Sequence, residues 1–296
     1  MSALKAEGVN AKYLPQVVLP DNIQAIDDWR SSKQHLGLVL VAVPYQHART
    51  LLREIHAADF KCDGVIWASK GIEQETHALA HEIVADELGR DIPFAMVSGP
   101  NFAIEVANRQ PAAVTVAGVN EKFVAQVCKV FHTEYFRPYS TNDVVGVEVG
   151  GAVKNVIAIA AGISDGLNLG ANARAALVTR GLAEIARWGI CCGGRAETFM
   201  GLSGLGDLVL TCTDDLSRNR RFGLHLAAGM TLTEAIDEVG LVEGAKTSVA
   251  LAEVAKESTI DMPISSQVAA IVAGGVSPKE AVISLMARDL SAEFSS

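Results

Sequence analysis

The hydrophobic positions in the first half of the chain form short continuous runs that alternate with helical patterns. The runs at residues 35–43, 62–68, 92–97 and 111–118 are each long enough for one strand. Strands buried on both faces of a parallel sheet have this composition, and helices connect them. The pattern therefore predicts an α/β fold with a parallel sheet, and one connecting helix is expected from about residue 73 to residue 88.

Small or charged residues follow three of these runs at the point where a helix should begin. Pro44 follows the first run, Lys70 the second, and the turn Gly99-Pro100-Asn101 the third. Ligands of open parallel sheets bind outside the carboxyl ends of the strands. We therefore expect these residues to share one rim that faces a ligand.

The pattern changes near residue 140, after which only helical spacing is found. Thr231 with Glu234 and Ser277 with Glu280 fit the capping box that begins many helices. The change predicts two domains, an α/β domain over residues 1–140 and an all-helical domain over residues 141–296.

Composition and charge narrow the class of protein. The net charge of −9 argues against binding to nucleic acid or to an anionic membrane surface. The five cysteines are scattered without a C-x-x-C pair, which is typical of reduced thiols in the cytosol. The N-terminus has no apolar signal segment, and the longest charge-poor run, Val149–Ser164, is 16 residues long and contains Lys154. We expect a cytoplasmic protein without a membrane span.

Lys154 is the first candidate for chemistry. It is the only charged residue between Glu148 and Asp165, and glycine and alanine surround it. A partly desolvated lysine has a lowered pKa and can exchange a proton near neutral pH. The alternative is a structural lysine that extends from a buried helix to solvent.

Further candidates lie in two loop regions. Lys70 and the segment 98–103 stand at strand ends, where the alternative interpretations are a solvated lysine and an ordinary βα turn. In the segment 201–223, three glycines precede Asp207, and Ser, Arg and Asn residues follow at 217–221. Arginine beside short polar donors suits a phosphate group, although a solvated helix start would look similar. These glycines do not have the G-x-G-x-x-G spacing of a dinucleotide loop.

His77 and His81 have the i, i+4 spacing that can bind a metal ion on one helix face. A third ligand is not near in sequence, and the Glu of H-E-x-x-H is missing. We interpret the pair as a surface helix face and expect no metal site.

Several longer motifs together resemble the NAD(P)-dependent glycerol-3-phosphate dehydrogenase family of bacterial type. They are WASKG (67–71), SGPNFA (98–103), GGAVKNVIAI (150–159), GANARAALVTRGLAE (170–184), GLGDLVLTCT (204–213) and SRNRRFG (217–223). The resemblance implies a Rossmann-type domain followed by a helical domain. It also implies reversible reduction of dihydroxyacetone phosphate to sn-glycerol 3-phosphate, a precursor of phospholipids, with NAD or NADP as cofactor.

The resemblance assigns roles to individual residues. Lys154 would be the catalytic acid and base. Substrate-binding residues would be Lys70, Gly99, Asn101, Lys154, Asp207, Ser217, Arg218 and Asn219, and cofactor-binding residues would be Lys70, Ala103, Arg218, Leu241 and Glu243. Asn101 departs from the family, which usually has Ser or Thr there.

A second departure is larger. The family begins with a strand, a glycine-rich loop, a helix and a second strand, and the sequence contains none of them. The expected fold is therefore an incomplete Rossmann-type sheet with exposed strand edges, and these edges favour a homodimer. Three interpretations stay open: an active enzyme whose sequence begins further upstream, a silent chain that only binds substrate, and another dehydrogenase of the same two-domain superfamily.

Overall fold

A computed structural model of the protein describes residue 4, residues 8–31 and residues 36–288. Its strands are β1 (Val9–Asn10), β2 (Leu14–Val18), β3 (Leu38–Val41), β4 (Gly64–Trp67), β5 (Phe94–Ser98), β6 (Ala112–Ala117) and β7 (Phe136–Thr141). Its α-helices are α1 (Tyr45–Ala57), α2 (Ala80–Leu88), α3 (Ala103–Ala107), α4 (Glu121–Phe131), α5 (Val144–Gly166), α6 (Ala171–Cys191), α7 (Ala196–Phe199), α8 (Asp207–Thr213), α9 (Arg218–Ala227), α10 (Leu232–Val239), α11 (Glu243–Glu257), α12 (Pro263–Val272) and α13 (Pro278–Met286).

The sheet has the order β3-β4-β5-β6-β7 and is mainly parallel, with helices packed against it. The α/β prediction and all four predicted strands are confirmed. β5 and β6 pair antiparallel, however, so the parallel prediction is wrong for this pair. The connection between them contains only the five-residue α3, rather than a helix long enough to cross the sheet.

Two parts of the sheet region differ from the sequence-based expectation. β7 was not predicted, because only Phe136 among its six residues is buried and three others are exposed. The helix expected from about residue 73 begins only at Ala80, because His77 adopts a positive φ of 60° that interrupts a helix. His77 therefore lies outside the helix, directly after a turn at residues 74–76, and the predicted helix face shared with His81 is wrong.

The helical half is built around α5. This helix is longer than the 16-residue run in the sequence, and its 23 residues are long and apolar enough to cross a membrane by composition alone. Because 94% of its most apolar window is buried inside the protein, α5 has the burial of a core helix. The two capping boxes at Thr231 and Ser277 are confirmed.

Candidate active site

Lys154 lies on α5 with its ammonium group almost fully buried. Its Nζ donates hydrogen bonds to the Asp207 carboxylate and, at 2.9 Å, to the Thr211 hydroxyl oxygen. Burial lowers the pKa of Lys154 to about 7, although the neighbouring Asp207 carboxylate acts in the opposite direction. A lysine with this pKa can both give and accept a proton at neutral pH.

Asp207 joins two lysines through one carboxylate. It is the first residue of α8, directly after a single π-helical turn at Leu202–Gly206. One carboxylate oxygen accepts from Lys154, and the other accepts from Lys70 Nζ at 2.8 Å. Burial alone would raise the pKa of Asp207, but the two lysines outweigh burial and lower it. Asp207 is therefore a buried carboxylate that holds two cations at fixed positions.

The predicted rim forms at the carboxyl ends of β3, β4 and β5, which run parallel. Lys70 and the turn at residues 99–101 follow β4 and β5, and Pro44 follows β3 as the cap of α1. Gly99 has a φ of 142°, and a Cβ there would come within 3.0 Å of the Val114 Cα, so the turn requires glycine. Asn101 is partly exposed two residues further on.

The predicted phosphate cluster divides into an exposed and a buried part. Ser217 caps α9 by accepting from the Arg220 backbone N–H at 3.2 Å, and Arg218 is exposed at the first helical position. Arg220 points inward, where its guanidinium pairs with the Asp165 carboxylate. The Asn219 side chain donates to Asn155 Oδ1 and accepts from the Gly244 backbone N–H, each at 3.0 Å. Arg218 is thus an exposed cation of this cluster, and it can meet an anion from solvent.

Glu243 links the helical half to the start of α1 through a hydrogen bond. Its carboxylate accepts from the Tyr45 backbone N–H at 3.2 Å. Burial raises the pKa of Glu243, although Lys246, Arg218 and His47 lie close enough to oppose that effect. Leu241 precedes it by two residues and is half-buried, whereas Ala103 is an exposed residue at the start of α3.

The residues expected to contact a dinucleotide include cations at the rim. Lys70 and Arg218 supply positive charge, and the rim lies at the strand ends where open parallel sheets bind cofactors. This donor set fits an anionic dinucleotide beside the lysine pair.

Sequence reasoning missed two residues of this site. Thr211 contacts Lys154, and its position four residues after Asp207 on one helix face was a usable signal. Asn155 follows Lys154 directly and anchors Asn219, a pairing across 64 residues that local patterns could not reveal. His81 also has an unexpected partner, because its ring and backbone nitrogens both contact the buried Glu148 carboxylate.

Comparisons with known proteins agree along the whole chain. Residues 1–124 match the NAD-dependent glycerol-3-phosphate dehydrogenase N-terminus, and residues 143–283 match the corresponding C-terminus. A glycerol-3-phosphate dehydrogenase (NAD(P)+) from Halorhodospira halophila is 46% identical over 99% of this chain and 88% of its own length. One from Herminiimonas arsenicoxydans is 48% identical over 96% of this chain and 87% of its own length.

A solved structure gives the same result for the fold. The crystal structure of glycerol-3-phosphate dehydrogenase from Coxiella burnetii matches with a TM-score of 0.93 and 42% identity, over 97% of this chain and 88% of that one. These similarities extend across both the sheet and the helical half. The chain belongs to the NAD(P)-dependent glycerol-3-phosphate dehydrogenase family.

Proposed function

We propose that this protein interconverts dihydroxyacetone phosphate and sn-glycerol 3-phosphate with NAD(P)H and NAD(P)+. The observation that carries the proposal is the buried Asp207 carboxylate, which binds both Lys154 and Lys70 at the carboxyl ends of the strands. Reduction of a ketone requires a proton for the oxygen, and a buried lysine with a pKa of about 7 can provide it. The product would supply phospholipid synthesis in the cytoplasm.

Lys154 is the catalytic acid in this proposal. Bound NAD(P)H supplies the hydride to the carbonyl carbon. Lys154 Nζ donates its proton to the carbonyl oxygen as negative charge develops there, and it takes the proton back in the reverse direction. Lys70 stabilises the same developing charge, and Asp207 keeps both ammonium groups oriented.

The remaining predicted residues line the substrate and cofactor regions. Arg218 at the start of α9 attracts the phosphate, with Ser217 and Asn219 shaping that helix start. Gly99 and Asn101 form the sheet side of the substrate pocket. Ala103, Leu241 and Glu243, with Lys70 and Arg218, face the cofactor.

The two halves of the chain have different roles in this proposal. Residues 1–140 form the dinucleotide-binding domain and residues 141–296 the substrate domain, and the protein acts as a homodimer. The rim residues come from the first domain, and Lys154 with Asp207 comes from the second.

The test is oxidation of NADH and of NADPH by this chain with dihydroxyacetone phosphate, compared with unphosphorylated dihydroxyacetone. We expect turnover with the phosphorylated ketone and at least about a hundredfold lower kcat/KM without the phosphate, because a charged anchor is lost. A folded chain that binds dihydroxyacetone phosphate without turnover would instead support a protein that only binds substrate.

A further inference from the structure

Ser98 carries a buried hydroxyl group that has no role in the proposed reaction. It is the last residue of β5 and has 0% of its surface exposed. Within the described part of the chain its Oγ has no hydrogen-bond partner. Buried hydroxyls nearly always have a partner, because an unpaired one loses its hydrogen bonds to water without compensation.

The surroundings of Ser98 place this hydroxyl beside the lysine cluster. A Cβ on Gly151 would lie 2.9 Å from Ser98 Oγ and 3.4 Å from the Lys70 Cγ. The hydroxyl and the methylene chain of Lys70 therefore both lie against the backbone of α5 at Gly151. Lys154 follows Gly151 by three residues, and helical side chains lean towards the N-terminus of their helix, so Lys154 extends over this same turn.

The proposed function assigns partners to two of the three polar groups of the substrate. Dihydroxyacetone phosphate carries a phosphate, a carbonyl and one free primary hydroxyl. Under the proposed function, on which this inference rests, Arg218 meets the phosphate and Lys154 meets the carbonyl. Asn219 cannot readily serve the hydroxyl, because both ends of its amide are already bonded within the protein.

We propose that the Ser98 hydroxyl binds the free primary hydroxyl of the substrate and so determines specificity for it. A hydroxyl can donate one hydrogen bond and accept two, so two facing hydroxyls satisfy each other. The flexible methylene chain of Lys70 lies against the same glycine, so a shift of this chain on substrate binding opens a path to Ser98 Oγ while the Lys70 ammonium stays on Asp207. A site that hydrogen-bonds a substrate hydroxyl discriminates against the analogue that lacks it.

The experiment compares two substrates in two variants. The substrates are dihydroxyacetone phosphate and acetol phosphate, in which a methyl group replaces the hydroxymethyl group. The variants are Ser98→Ala and the control Ser164→Ala, which removes another buried hydroxyl without a partner among the described residues. Ser164 lies ten residues beyond Lys154 on α5, about 15 Å along the helix. Steady-state kcat/KM and calorimetric dissociation constants are measured for both substrates.

We expect the wild-type protein and Ser164→Ala to prefer dihydroxyacetone phosphate over acetol phosphate, and Ser98→Ala to lose about tenfold of that preference. The dissociation constant of NADH should be unchanged in both variants. The melting temperature of Ser98→Ala should equal or exceed that of wild type, because the variant removes a polar group that is unpaired in the folded chain.

Two results would overturn the inference while leaving the proposed function intact. One is an undiminished substrate preference in Ser98→Ala. The other is weaker NADH binding in Ser98→Ala with an unchanged preference, which would place the hydroxyl on the cofactor. A wild-type chain that neither binds nor reduces dihydroxyacetone phosphate would overturn the proposed function itself, and this inference with it.

Discussion

At the scale of single residues, Asp207 determines the positions of the Lys154 and Lys70 ammonium groups and reduces the repulsion between them. Two ammonium groups near each other repel, and burial of either one is costly. A carboxylate that is 1% exposed and contacts both lysines offsets that repulsion without neutralising the pair. When both lysines are protonated, one net positive charge remains on the three groups, which suits a substrate whose oxygen becomes negative during reduction.

The pH dependence of catalysis should follow Lys154. Because burial lowers the pKa of Lys154 to about 7, the ammonium form disappears as pH rises through that value. Ketone reduction needs this acid, so its kcat/KM should fall above about pH 7, whereas alcohol oxidation needs the neutral amine and should rise there. The measurement is kcat/KM in both directions from about pH 5.5 to about pH 9. Reduction that stays constant to the upper limit would contradict the lowered pKa.

Single residues also show how far the sequence could predict the site. An isolated lysine among glycines and alanines was visible, and so was the glycine-flanked Asp207. Their contact was not visible, because Lys154 and Asp207 are 53 residues apart and lie on different helices. The inward orientation of Arg220 could not be predicted either, since its partner Asp165 lies on a different helix, α5.

At the scale of elements, close contact between α5 and α9 links the catalytic lysine to the phosphate region. Gly162 on α5 and Gly223 on α9 face the backbone of the opposite helix, and a Cβ at either position would overlap a carbonyl oxygen there. The two helices therefore pack backbone against backbone. Their spacing sets the distance between Lys154 and the start of α9, where Arg218 lies.

Replacement of Gly162 should separate these helices. In Gly162→Ala the added methyl group overlaps the Arg220 carbonyl, and we expect about 1–3 kcal/mol lower unfolding free energy despite better helix propensity. Urea unfolding measures the change. The control is Gly275→Ala, where the nearest atom to a Cβ is 3.5 Å away and stability should change little. Equal stability of Gly162→Ala and wild type would contradict the packing.

Element prediction from the sequence succeeded where local patterns decide structure. The four apolar runs became strands, and the two capping boxes begin helices where expected. The failures in the sheet have causes outside the apolar pattern. β6 runs antiparallel to β5 because the connection between them does not cross the sheet, and β7 is held mainly by pairing with β6 rather than by its own apolar content.

At the scale of the whole molecule, the site lies where the sheet meets the helical half. Lys70 contacts Asp207, the start of α1 contacts Glu243, and His81 contacts Glu148. Each of these contacts joins a residue of the sheet region to a residue beyond position 140. The alternation of strands and helices predicted both halves, but only the folded chain shows the polar contacts that join them.

The central claim is that Lys154 carries the proton transfer, and Lys154→Ala tests it most directly. The measurement is the rate of NADH oxidation at saturating dihydroxyacetone phosphate, alongside calorimetric binding of that substrate and circular dichroism to confirm folding. We expect a folded variant with turnover lower by at least about a thousandfold and substrate binding weakened much less, because the lysine acts mainly on the transition state. Turnover near that of wild type would contradict the assignment of Lys154.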